Sequence, residues 1–225
     1  MKLSRVEIAK MIDHTFLKPE GTEEDVARLV SEGLKYGFHS VVVNPYFVPL
    51  ASKLAEGSGL RICSVVGFPL GATLPEAKAR EAELLGRAGA HEVDMVINIG
   101  ALKSGLDDVV LADISGVVNA FRSVRPEGVV KVILETGLLT REEIEAACAL
   151  VEEAGADFVK TSTGFGPRGA TVEDVRLLRE LVGDRLGVKA AGGIRTYEQA
   201  VAMIEAGANR IGTSSGVRIV EGAPE

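Results

Sequence analysis

Four times along these 225 residues a helix-like segment closes on a glycine and runs at once into a short hydrophobic stretch. The junctions are Gly37 before FHSVVVNP, Gly89 before AHEVDMVIN, Gly155 before ADFVKTS and Gly207 before ANRIGTS, and the last three share Ala-Gly-Ala. Glycine suits that place because it takes the left-handed conformation just past a helix end without a Cβ penalty. The spacings are 89 − 37 = 52, 155 − 89 = 66 and 207 − 155 = 52, as if two similar units of helix and strand separated most of the junctions.

Helix starts recur too. Thr22/Asp25, Thr73/Glu76, Thr140/Glu143, Thr171/Asp174 and Thr196/Gln199 each set a hydroxyl three residues before a carboxylate or amide, the pattern of a capping box. Apolar residues follow at helical spacing, as in Val26, Leu29, Val30 and Leu34. The strand candidates are short, β-branched and almost continuously apolar, which means burial on both faces and a parallel sheet. Eight such runs lie around residue 12 and at 41–43, 61–66, 92–97, 129–134, 157–160, 186–190 and 210–212, with a short amphipathic helix at 5–10 before them. Eight units in one chain of this length predict a single (β/α)₈ barrel spanning 1–225. A doubly wound open sheet is disfavoured by the number of units and by the lack of G-x-G-x-x-G after the first strand.

In such a barrel the reacting groups stand at the C-terminal ends of strands. Ionisable residues inside apolar strands are therefore the informative ones: Asp94 in EVDMVI, Lys131 and Glu135 in VVKVILE, Lys160 in DFVKTS and Lys189 in GVKAAGG. Strand side chains alternate. With Val93, Met95, Ile97, Val159 and Val188 packed toward the helices, Asp94, Lys160 and Lys189 point at one interior space. A structural ion network among all five is one reading. The excess of lysine over acid favours another, in which one amine is held partly neutral and attacks carbonyls. The pattern leaves open which lysine that is. Two glycine-rich segments follow the last two strands, Gly192-Gly193 and 212–216 (GTSSG), where barrels often bind phosphate through bare backbone N–H groups. Ser214 and Ser215 add hydroxyls, and the TSTG run at 161–164 follows Lys160 directly.

Those segments carry a resemblance. Lys160 with TSTG, Asp94 in EVDMVINIG, Lys189 in KAAGGIRT, Asp13-His-Thr15 with Leu17-Lys18, VVGFPLG at 65–71, VILETG at 132–137 and GTSSG at 212–216 together closely resemble the deoxyribose-phosphate aldolases, class I lyases on a (β/α)₈ barrel. The resemblance implies that Lys160 forms a Schiff base, that Asp94 transfers protons and that Lys189 is a second active-site amine. It assigns substrate contacts to Thr163, Gly164, Gly192, Gly193, Gly212, Ser214 and Ser215, with Asp13, Thr15 and Lys18 near the substrate. It implies a phosphosugar substrate, no metal and no organic cofactor, a cytoplasmic protein, and a homodimer or higher homo-oligomer. The chain departs from the family pattern at Val42, where many members carry cysteine, and at Phe165, where a base often follows the motif. The cation near a phosphate would then be Arg168 or Lys18. No tyrosine follows Tyr197, so the tail tyrosine that assists proton transfer in longer members has no counterpart.

Charge and composition remove other classes. The formal charge of 25 − 32 = −7 opposes a phosphate-tracking nucleic-acid binder. No apolar run approaches the roughly 18 residues of a membrane span, and the charged N-terminus holds no signal-peptide core. Cys63 and Cys148 have no redox or metal spacing, and His14, His39 and His91 lie apart from one another, which argues against zinc or iron and for structural histidines. Two alternatives remain beside the aldolase: a phosphosugar isomerase working without covalent attachment, and a catalytically silent phosphometabolite-binding barrel.

Overall fold

The computed structural model describes residues 2–224. The strands are β1 (Ile12–Phe16), β2 (Ser40–Val43), β3 (Arg61–Val66), β4 (Glu92–Val96), β5 (Val129–Ile133), β6 (Phe158–Lys160), β7 (Gly187–Ala191) and β8 (Arg210–Thr213). They pair in parallel in chain order, and β8 closes onto β1. Helix α1 (Arg5–Ala9) precedes the barrel. Around it run α2 (Glu23–Tyr36), α3 (Val48–Leu54), α4 (Pro75–Ala88), α5 (Ile99–Lys103), α6 (Asp107–Val124), α7 (Arg141–Glu153), α8 (Val172–Val182), α9 (Tyr197–Glu205) and α10 (Gly216–Glu221). All four junction glycines are left-handed, with φ of 67°, 112°, 74° and 116° at Gly37, Gly89, Gly155 and Gly207. The one longer spacing contains α5, an extra helix between β4 and α6.

Capping boxes form at Thr22, Thr140 and Thr196, and another at Ser4 with Glu7. Thr171 accepts the Asp174 N–H, but the Asp174 carboxylate turns to Arg168 and Thr136, so the box is half made. The expected Thr73 cap does not form. Helix α4 begins at Pro75 behind Leu74, because proline's fixed φ suits the first helical position and needs no N–H partner there.

The main apolar core lies between strands and helices and includes Val93, Met95, Ile97, Val159 and Val188. The opposite parity then faces the barrel axis. Leu17, Val42, Cys63 and Val65 form a small apolar cluster of their own, with Phe68 against it, so Val42 packs with neighbours from β3. Charged side chains from β1, β4, β5, β6, β7 and β8 occupy the rest of the interior. Register sets Asp94 opposite Lys131 and Lys160 opposite Lys189.

Candidate active site

Asp94, Lys160 and Lys189 meet in the barrel interior. Lys160 Nζ donates to Asp94 Oδ2 at 2.8 Å and Lys189 Nζ donates to the same oxygen at 2.7 Å. Lys131 Nζ takes the other oxygen, Oδ1, at 2.9 Å. Deeper in, Lys189 lies 2.5 Å from Asp13 Oδ2 and Lys131 lies 2.6 Å from Glu92 Oε2. Arg210 reaches Asp13 at 2.8 Å and Glu92 at 3.3 Å. Gly212 makes room for this traffic, since a Cβ there would sit 3.0 Å from Lys189 Cε. Inside the barrel four cations (Lys131, Lys160, Lys189, Arg210) thus face three carboxylates (Asp13, Glu92, Asp94), while His39 and Arg61 touch Glu92 from the rim. Asp13, His39 and Glu92 offer ligand atoms close enough to share a metal, but ammonium and guanidinium groups already hold both carboxylates.

The environment separates the lysines. Burial pushes the Lys160 ammonium below its ordinary value of 10.5; Asp94 opposes that and nearby Lys189 adds to it. Burial acts against charge on Lys189 as well, yet Asp13 and Asp94 outweigh it and its pKa stands above the ordinary value. Lys131 is raised further, chiefly by Asp94 against burial. Asp94 is buried too, but Lys131, Lys160 and Lys189 keep it ionised, well below the ordinary carboxylate value. Of three amines around one carboxylate, Lys160 is the one biased toward the free base.

At the C-terminal ends of β1, β6, β7 and β8 lies a cavity of about 280 Å³. Thr15, Lys18, Thr163, Gly164, Gly192, Gly193, Gly212 and Ser214 line it, and so does Arg195. Gly192 and Gly193 are left-handed, φ 90° and 81°, and a Cβ on Gly192 would meet the Gly169 backbone at 2.9 Å. A larger cavity of about 830 Å³ opens at the opposite end of the barrel beside Arg61, His91 and Arg125, and Lys131, Lys160 and Lys189 are not among its lining residues.

Four other residues lie outside the lining of the smaller cavity. Asp13 does not line the cavity: it shares Thr15's inward face but sits one layer deeper, fully buried against Lys189, Arg210 and Ser40. Ser215 is also outside the lining, at the N-cap of α10, with its N–H donated to Thr213 Oγ1. Arg168 is turned away to Asp174 and the Thr136 carbonyl, so the cations lining the cavity are Lys18 and Arg195. Glu135 is absent from the interior ion network; its carboxylate accepts from Thr163 instead. The histidines bond structurally, His14 to Glu32, His39 to Glu92, and His91 to the Ile62 N–H.

The profile of the DeoC/LacD family aldolases matches residues 7–222. The chain belongs to that family. The deoxyribose-phosphate aldolase of Thermococcus gammatolerans is 62% identical over 220 residues, covering 97% of each chain, and that of Thermococcus kodakarensis is 58% identical over 225 residues, covering 99% of this chain and 100% of its own. A solved deoxyribose phosphate aldolase from Aeropyrum pernix, described as a unique tetramer, matches with a TM-score of 0.90 at 41% identity, over 97% of this chain and 91% of that one.

Sequence reasoning missed several groups of this family member's site. Glu92 and Arg210 open their strands, where a charge reads as readily as a loop residue. Arg195 lies in KAAGGIRT, and its cation became visible only when the loops after β7 and β8 were seen to share one cavity.

Proposed function

We propose that this aldolase reversibly cleaves 2-deoxy-D-ribose 5-phosphate to D-glyceraldehyde 3-phosphate and acetaldehyde through a Schiff base on Lys160. The single observation carrying the assignment is that, of the three Asp94-bound lysines, Lys131 also holds Glu92 and Lys189 also holds Asp13 whereas Lys160 has no second carboxylate, so burial biases its amine toward the free base. The names of the similar proteins support the substrate.

The neutral Lys160 amine adds to C1 of the open-chain sugar, and loss of water leaves a protonated imine. When the C3 hydroxyl gives up its proton, the C2–C3 bonding pair moves into the imine and forms an enamine, while C3 becomes the aldehyde of glyceraldehyde 3-phosphate. Protonation at C2 and hydrolysis then return acetaldehyde and the free amine. Asp94 is ionised at neutral pH and serves as the base, directly or through a water, and returns the proton. Lys189 stays charged, disfavours a proton on Lys160 and joins the proton traffic through Asp94. The phosphate is assigned to the cavity walled by Gly164, Gly192, Gly193, Gly212 and Ser214, with Lys18 and Arg195 as its cations. Binding a remote group there aligns C1 with the amine, so phosphate affinity serves catalysis.

We also assign the protein to the cytoplasm and to a homo-oligomer, a dimer or larger. Two free, buried cysteines suit a reducing compartment. Self-association is supported by the related tetramer and by Tyr46, Leu70 and Leu74, which are at least 70% exposed. Among the described residues no helix is long and apolar enough to cross a membrane.

Incubation with acetaldehyde and borohydride should leave an ethyl group on the peptide carrying Lys160. Label on Lys189 would move the imine to that residue. Isomerase activity without any trapped adduct would favour the non-covalent reading.

A further inference from the structure

Glu135 has no part in the chemistry above, yet among the described residues it is the only non-glycine with positive φ, at 59°, and it is 2% exposed. A residue with a Cβ adopts that conformation only where surrounding contacts hold it. Its side-chain hydrogen bonds lead to the loop between β6 and α8. The Glu135 carboxylate accepts the Thr163 N–H at 3.3 Å and the Thr163 hydroxyl, and that hydroxyl oxygen accepts the Phe165 N–H at 3.0 Å. Gly166 lets the chain cross the carboxylate, since a Cβ there would lie 2.6 Å from Glu135 Cδ. The next residue grips both ends of the same loop: Thr136 N–H donates to the Thr161 carbonyl at 2.9 Å and Thr136 Oγ1 donates to Asp174 at 3.1 Å.

We infer that Glu135 is a positioning residue that sets the phosphate half of the site, by clamping the loop on which Thr163 and Gly164 form the cavity wall. The carboxylate consumes both Thr163 donors. That leaves the Gly164 backbone, against Gly192, to face the cavity. Charge matters as well as shape. Both Thr163 donors converge on Oε2 and the N–H is shared with Oε1 at 3.4 Å, so an amide would keep a weaker, uncharged acceptor at one position and set an NH₂ group against the N–H at the other.

The inference rests on the phosphosugar reading, and its test separates the two. Glu135→Ala should raise KM for 2-deoxyribose 5-phosphate by about tenfold or more, the scale of one lost charge-assisted hydrogen bond, with kcat within about threefold. Glu135→Gln should fall between it and wild type. KM for unphosphorylated 2-deoxyribose should stay unchanged in both, and amide exchange at Thr163 and Phe165 should quicken. A parallel rise in both KM values, a fall in kcat alone, or unchanged exchange at these amides would overturn the clamp. Borohydride trapping on wild type beside these variants reads the other proposal: absence of a Lys160 adduct in wild type refutes the Schiff base, while the exchange measurement still decides on the clamp.

Discussion

Three lysines share Asp94, and what separates them is the company each keeps deeper in the barrel. Lys131 also holds Glu92, and Lys189 also holds Asp13, whereas Lys160 has Asp94 alone. Removing Lys160 therefore leaves three interior cations against three carboxylates, and removing Lys131 strips Asp94 Oδ1 and Glu92 Oε2 of their ammonium. We expect Lys160→Met to abolish turnover at little cost in stability, within about 1 kcal/mol, and Lys131→Met to cost about 3–5 kcal/mol, the usual range for breaking a buried pair. Urea unfolding at pH 7 measures both; equal losses would show that the two amines have the same structural weight. Alternation made Asp94, Lys160 and Lys189 legible beforehand, because apolar neighbours such as Val93 and Met95 on either side of Asp94 fix the parity. The partners below it were not legible. Asp13, Glu92 and Arg210 lie at or near strand starts, where no apolar neighbour on both sides reveals that the position is interior.

At the level of elements, periodicity exposed the eight strands, and glycine marked the junctions, because both signals are local. Pairings between helices left no such trace. Lys78 sits in PEAKAREAELL and reads as one more surface lysine, yet it is fully buried, 2.5 Å from Asp113 of α6 and 3.0 Å from the Val96 carbonyl. Only packing of α4 on α6 makes that lysine interior. The β6–α8 loop poses the same problem: its fit to the loop after β7 is a contact between distant residues. Ala170 N–H donates to the Gly192 carbonyl at 3.1 Å, and a Cβ on Gly169 would stand 2.2 Å from that oxygen. Backbone cannot yield as a flexible side chain does. Gly169→Ala should therefore separate the two loops, lower stability by about 1–3 kcal/mol as overpacking does, and weaken competitive inhibition by inorganic phosphate. Wild-type inhibition and stability in this variant would show that the cavity wall does not depend on the close approach.

For the molecule as a whole, a barrel filled with charge ties folding to pH from both sides. Burial alone would raise the pKa of Asp13, Glu92 and Asp94; Lys131, with Lys189 for the two aspartates and Arg210 for Asp13 and Glu92, reverses this and holds all three below the ordinary carboxylate value. In the unfolded chain these groups take up protons near pH 4, while the folded barrel resists them. The unfolded state then binds more protons, so stability must fall as pH drops below about 4. Lys131 and Lys189 are shifted upward, so their contribution is complete below about pH 10.5 and drains away as pH rises through their folded values. Lys160 runs the other way. Its folded pKa is lowered, so its burial destabilises the fold while it is protonated, and stability recovers with pH between its folded value and about 10.5. Urea midpoints measured from pH 3 to pH 11 should trace a broad plateau with losses at both ends, and Lys160→Met should raise the acidic side of that plateau relative to its alkaline side. Because the pairs are buried, high salt should leave the plateau nearly unmoved, whereas stability resting on surface pairs such as Arg141–Glu145 would decline with ionic strength.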